Sequence, residues 1–233
     1  MREIVLDTET TGLDPADGHR IVEIGAVELV NHVATGRTYH QYIDPKRPMP
    51  AEAFAIHGLG DDLLRGKPVF SVVAAEFLAF IGDARLVIHN ASFDMKFINA
   101  ELTGAGLAAL PATRAFDTVI LARQKFPGSP ASLDALCRRF GIDNSVREKH
   151  GALLDSELLA EVYLELIGGR QPDLILAPDT SGRPDGPAGS VNSDWRPTVR
   201  LQPLPARLTD AELQAHQGFV DKLGATAIWK RRG

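Results

Sequence analysis

The sequence predicts an α/β protein: a mixed sheet of five strands flanked by helices, followed by a flexible linker and one C-terminal amphipathic helix. Three observations predict it. Strand-like segments follow one another with short connections between Ile4 and Ile43, which suits an antiparallel meander. Two later apolar segments, Leu86 to Ile88 and Ala115 to Thr118, are each followed by a helical pattern. From Gln171 onward the composition then turns to Pro, Gly, Ser and Asp.

The first strand is Ile4-Val5-Leu6 running into Asp7-Thr8-Glu9-Thr10-Thr11-Gly12. Side chains alternate along a strand, so Val5, Asp7 and Glu9 share one face and Ile4, Leu6 and Thr8 the other. Three large aliphatics in a row suggest burial on both faces. Gly12 to Gly18 reads as a turn. Ile21 to Leu29 is the second strand and Thr38 to Ile43 a shorter third, with Asn31-His32 and Gly36 breaking between them. Asp44 to Pro50 cannot be regular, because proline removes ladder donors and fixes φ. Val72 to Ile81 reads as an amphipathic helix with Val72, Ala75, Phe77, Leu78 and Ile81 apolar. The strand Leu86-Val87-Ile88 ends at His89-Asn90, and a helix with Phe93, Phe97 and Leu102 on its apolar side opens directly after it. Ala115 to Thr118 is the fifth strand, before a helix from Val119 to Phe126. Ser129-Pro130 supplies a cap and an N1 proline for a helix carrying Leu133, Leu136, Cys137 and Phe140, which Gly141 stops. The last helix of this block runs from about Gly151 to Ile167 and ends at Gly168-Gly169.

These elements make one domain over residues 1–169. Residues 170–206 read as a linker, since seven of the chain's 15 prolines fall between Gln171 and Pro205. Residues 207–233 form a tail segment. In it Thr209-Asp210-Ala211-Glu212 is a capping box, with Leu208 and Leu213 as a hydrophobic staple. A helix carrying Leu213, Val220 and Leu223, trailed by Ile228-Trp229, cannot bury its apolar face alone. Docking onto a partner and folding back on the main domain are the two readings open to it.

Hydrophobic content of 44% and charged content of 24% are those of an ordinary globular chain. The single cysteine, Cys137, excludes an internal disulfide framework and fits a reducing cytosol. No signal peptide is read in Met1-Arg2-Glu3, and no apolar run reaches the ~20 residues that span a bilayer. The expected location is cytoplasmic, with no membrane partner. A net charge of −5 argues against extensive unaided binding to duplex nucleic acid.

Chemistry enters with the acids. Asp7 and Glu9 arrive where a core should be, and two buried acids on one face repel unless a cation lies between them. A hard divalent ion on oxygen ligands resolves that conflict. Solvated acids in a polar turn are the bland alternative for this pair alone. Asp94 falls near the start of the helix after the fourth strand, where an acid is often only a dipole-favoured surface residue. Asp155 shares a stripe with Leu159, Val162 and Leu166, so it sits in the middle of a buried face. His150, five residues earlier, would point ~140° away if both were helical. It must therefore lie on the loop before the helix, with Gly151 as the joint. A loop histidine beside a metal site suits general-base work.

D-x-E at a strand end, Asp94 after strand four and H-x-x-x-x-D on the last helix together resemble the DEDD-type 3′–5′ exonucleases that carry a histidine, whose fold is ribonuclease-H-like. The resemblance extends from Ile4 to about Gly169. The stretches Asp7 to Gly12, His89 to Asp94 and His150 to Asp155 are similar to those of the proofreading epsilon subunits of bacterial DNA polymerase III. The resemblance implies two Mg²⁺ or Mn²⁺ ions held by Asp7, Glu9, Asp94 and Asp155, with His150 as the base. It implies Glu52 and His57, in the segment Glu52 to Gly58, which reads as a loop after the proline run, as contacts to the terminal nucleotide, together with Asp7, Glu9 and Asp155. It also implies action on DNA 3′ ends near the nucleoid. Gln171, Leu174 and Leu176 resemble a peptide for the sliding clamp (beta). The tail, through Leu213, Val220, Leu223 and Trp229, resembles the segment that binds the polymerase catalytic (alpha) subunit. An RNA-trimming exonuclease of the same fold, and a non-catalytic tether between polymerase and clamp, are the competing expectations.

Overall fold

The computed structural model of the chain describes residues 1–145, 149–168 and 209–223, which fall in two units, residues 1–176 and 177–233. In the first unit β1 (Arg2–Thr10), β2 (Ile21–Val30) and β3 (Val33–Tyr42) form the expected antiparallel meander. Then come α1 (Ala51–His57), α2 (Asp61–Leu64), α3 (Phe70–Ile81), β4 (Arg85–Ile88) and α4 (Ala91–Gly104). β5 (Ala115–Asp117), α5 (Thr118–Lys125), α6 (Leu133–Phe140) and α7 (Ala152–Ile167) follow. The described strands form one five-stranded sheet in the order β3-β2-β1-β4-β5, with β4 and β5 joined in parallel. The mixed sheet flanked by helices is the fold class expected.

β1 is the central strand, and its alternation organises two cores. Ile4 and Leu6 pack with Phe77 and Ile81 of α3 and Phe97 and Leu102 of α4. Val5 belongs to the opposite cluster with Leu136 and Cys137 of α6 and Leu159, Val162 and Leu166 of α7. Burying each large side chain stabilises the fold by about 1.5–3 kcal/mol. Both faces of β1 are therefore fixed by packing, and a one-residue slip would invert every contact.

Four local expectations are corrected. The third strand begins at Val33, not Thr38, because Asn31 (φ 51°) and His32 (φ 64°) make a two-residue left-handed turn that keeps strand twist. Gly36 (φ 81°) does not break the strand. Ala34 pairs with Leu29 and Thr38 with Val27, so the residues between them bulge opposite Glu28. The Glu28 carboxylate accepts from Thr35 Oγ1 and Arg37 there. The helix expected from Val72 starts at Phe70, so Val73, Ala74 and Phe77 face the core while Val72 and Ala75 are exposed. Glu52 to Gly58, expected as loop, is helix α1 closed by left-handed Gly58. Finally, α6 is capped by Ser132, whose side chain accepts from Ala135 N at 3.3 Å, and not by Ser129-Pro130.

The second unit contributes α8 (Asp210–Lys222). Its capping box is formed as the sequence predicts: Thr209 Oγ1 accepts from Glu212 N, and Glu212 Oε2 accepts from Thr209 N at 2.8 Å. Leu213 and Leu223 are exposed and Val220 is buried. Leu208, Gln171, Leu174, Leu176 and Trp229 lie outside the described residues. No helix of the described residues is long and apolar enough to cross a membrane.

Candidate active site at the end of the central strand

The C-terminal half of β1 carries Asp7, half-buried, and Glu9, buried. Helix α7 packs on their face of the sheet, and a glycine permits its approach. Gly25 lies directly across from Asp7 in β2, and a Cβ built there would stand 2.2 Å from the Ala152 carbonyl carbon and the Leu153 nitrogen. Ser156 Oγ donates to the Gly25 carbonyl at 2.9 Å and fastens the same turn. This contact delivers Asp155, 3% exposed, on the stripe with Leu159, Val162 and Leu166 that the sequence predicts. His150 precedes the helix, as its spacing from Asp155 requires. Its Nδ1 is 3.3 Å from Asp155 Oδ2. Ligand atoms of Glu9, His150 and Asp155 all lie within 4.8 Å of one another.

Asp94 comes from the opposite side. Helix α4 packs on the face of Ile4 and Leu6, and Asp94 Oδ1 accepts from Thr8 N at 3.1 Å and Thr8 Oγ1 at 2.7 Å. Burial pushes the Asp94 carboxyl up to about 7, the Thr8 hydrogen bonds pull it down, and the neighbouring Asp117 charge raises it further. The turn that aims α4 is left-handed at Asn90, with φ 67° and ψ 54°, a conformation asparagine adopts more readily than other non-glycine residues. Asp117 holds this turn. Its Oδ2 accepts from Ala91 N at 3.0 Å and its Oδ1 from Val119 N at 2.8 Å, so one carboxylate caps both α4 and α5.

The two expected nucleotide contacts differ in setting. Glu52 is exposed on α1, whereas His57 at the end of that helix is buried. His57 Nδ1 accepts from Leu59 N at 3.0 Å, which leaves the ring proton on Nε2. That atom is buried near the Thr10 carbonyl but outside hydrogen-bonding geometry. Burial holds the imidazole below its usual pKa, so it is a neutral donor. Helix α1 also abuts the His150 loop: His150 N donates to the Ile56 carbonyl at 3.3 Å, and Lys149 lies 5.1 Å from the Phe54 ring centre.

The geometry thus gathers Glu9, His150 and Asp155 into one cluster, with Asp7 on the same strand face and Asp94 anchored through Thr8. A family model described as "Exonuclease" (RNase_T) matches residues 4–163. The DNA polymerase III subunit epsilon of Rickettsia felis is 49% identical over 97% of this chain and 99% of its own length. That of Escherichia coli K12 is 42% identical over 98% of this chain and 97% of its own. The chain belongs to the DNA polymerase III epsilon subunit family. It is a proofreading 3′–5′ exonuclease of the RNase_T class. Among solved structures, Exonuclease X in complex with 5′ overhanging duplex DNA matches 71% of this chain and 90% of its own, at 25% identity and a TM-score of 0.55. The nuclease domain of 3′hExo, a DEDDh family member bound to rAMP, matches 71% and 91% at 20% identity and a TM-score of 0.60, which supports the fold.

The donor set of this epsilon-family site fits a divalent cation. Two buried carboxylates and an imidazole converge, and the Asp94 acid is held near neutrality by its burial. A hard cation supplies the charge that these oxygens need in order to ionise together. Three supporting residues escaped the sequence reading: Thr8, Gly25 and Asp117. Asp117 had a legible signal, since an acid between a strand and a helix is an N-cap pattern. Thr8 and Gly25 had none, because their roles come from helices α4 and α7 packing onto the sheet far along the chain.

Proposed function

We propose that this epsilon-family exonuclease removes mispaired nucleotides from DNA 3′ ends, releasing nucleoside 5′-monophosphates, with two divalent ions, Mg²⁺ or Mn²⁺. The observation that carries the reading is the convergence of Glu9, His150 and Asp155 beside Asp7 at the end of β1. Asp7, Glu9, Asp155 and Asp94 would hold the ions, which would supply Lewis-acid activation of a nucleophile and charge stabilisation for the leaving oxygen of an in-line displacement. The chain's own residues do the rest. His150, half-exposed on its loop, accepts the proton of the attacking water. Asp155, 3.3 Å from Nδ1, orients that ring. His57 and Glu52, both on α1, contact the terminal nucleotide. Mispaired ends are preferred because unpairing them costs least.

His150→Ala is expected to lower turnover by roughly a hundredfold or more at neutral pH. Mn²⁺ binding, measured by calorimetry, is expected to persist. Wild-type rates in this variant would remove His150 from the mechanism.

The segment beyond residue 169 supplies attachment. The tail through Leu213, Val220, Leu223 and Trp229 binds the polymerase catalytic subunit, and Gln171, Leu174 and Leu176 engage the sliding clamp. Tethering raises the local concentration of exonuclease at the primer end on the nucleoid and offsets weak unaided DNA binding. Deleting residues 170–233 should leave mononucleotide release intact and abolish co-elution with the polymerase. A truncated chain that still co-elutes refutes the assignment.

A further inference from the structure

Buried Glu23 of β2 stands directly across the sheet from Glu9 and has no place in the mechanism above. Two buried carboxylates opposite each other destabilise a sheet unless each is held elsewhere. Glu23 is held at both oxygens. Oε1 lies 2.6 Å from His40 Nε2 on β3. Oε2 accepts from the backbone N–H of Ala152, the first residue of α7, at 3.1 Å. The residue before it, Gly151, is the N-cap of α7 and has no side chain with which to cap it. A helix start leaves N–H groups unsatisfied and carries partial positive charge. Glu23 supplies the missing cap from a strand 129 positions earlier in the chain.

What this bond fixes is the first turn of α7, between His150 and Asp155. Asp155 N donates to the Gly151 carbonyl at 2.8 Å, and Ser156 Oγ and Gly25 pin the same turn to β2. We infer that Glu23, braced by His40, is a positioning residue. By capping α7 across the sheet it sets where His150 and Asp155 stand relative to Glu9. The inference rests on the exonuclease reading for its consequence, and on the hydrogen bonds alone for its geometry.

The requirement is an acceptor at the right reach, not a charge, and two mild variants separate these. Glu23→Gln keeps an oxygen at the same distance for Ala152 N–H. Glu23→Asp keeps the charge but is one methylene too short. Glu28→Asp, on the same strand but bonded to Arg2, Thr35 and Arg37, controls for loss of a buried network. Three readouts are taken on the full chain: kcat and KM on a single-stranded oligonucleotide, Mn²⁺ affinity by calorimetry, and hydrogen exchange of the peptide over Ala152 to Asp155. Glu23→Asp should lower kcat roughly ten- to a hundredfold with KM within about twofold, since small misplacements of catalytic groups carry losses of that order. It should also weaken Mn²⁺ binding several-fold and speed exchange at the start of α7. Glu23→Gln should stay within about threefold of wild type in all three. Wild-type kcat and Mn²⁺ affinity in Glu23→Asp overturn the inference. So does an equal loss in Glu28→Asp at the same thermal stability, or a Gln variant slower than the Asp variant. A wild type that binds Mn²⁺ but degrades no DNA sinks the exonuclease reading and leaves the cap to be judged by calorimetry and exchange.

Discussion

Asp155→Asn is expected to lower mononucleotide release by roughly a thousandfold while the protein stays folded. The side chain is 3% exposed, lies within 3.3 Å of His150 Nδ1, and shares a cluster of ligand atoms with Glu9. Asn has nearly the same shape, so the stripe of Leu159, Val162 and Leu166 keeps its packing. On the proposed mechanism the variant loses the negative charge that would hold a cation and orient the imidazole. A thousandfold corresponds to about 4 kcal/mol of transition-state stabilisation, within what one metal ligand supplies. Release from a labelled 3′ end, with thermal unfolding in parallel, checks it. Turnover within tenfold of wild type, in a variant of unchanged stability, places the chemistry elsewhere.

The second large effect is at a residue with no functional group. Gly25→Ala puts a methyl 2.2 Å from the Ala152 and Leu153 backbone, where no side chain can swing aside. Helix α7 or strand β2 must then shift by more than an ångström. Overpacking of this kind destabilises by about 3 kcal/mol. Because the displaced helix carries Asp155, activity should fall roughly a hundredfold even in the folded fraction. Chemical denaturation gives the first number and activity per folded molecule the second. A stable, fully active Gly25→Ala protein would show that the close approach of α7 to the sheet is dispensable.

These two positions mark what the sequence could and could not disclose. Asp155 was legible because an acid in the middle of an apolar helical stripe breaks a pattern that local periodicity makes visible. The same logic exposed Asp7 and Glu9 on the central strand, and it put His150 on a loop from an angle alone. Gly25 was not legible, since its partner α7 lies more than a hundred positions on and only the cross-strand register sets it opposite Asp7. Glu23 broke a pattern too, as one of two acids, with Glu28, in a largely apolar strand, yet its partner was a backbone N–H that composition cannot announce. Boundary errors had local causes. A two-residue left-handed turn at Asn31-His32 extended a strand through a glycine, and Phe70 opened a helix two residues before its expected start.

The central claim is that the end of β1 is a metal-dependent 3′–5′ exonuclease site. It is tested most directly by incubating wild type and Asp155→Asn with a 5′-labelled primer–template bearing a 3′ mispair and Mg²⁺. Wild type should shorten the primer stepwise from the 3′ end, faster than on a paired end, and chelation or the substitution should abolish the shortening. Equal shortening by both proteins, or none by wild type with metal present, would contradict it.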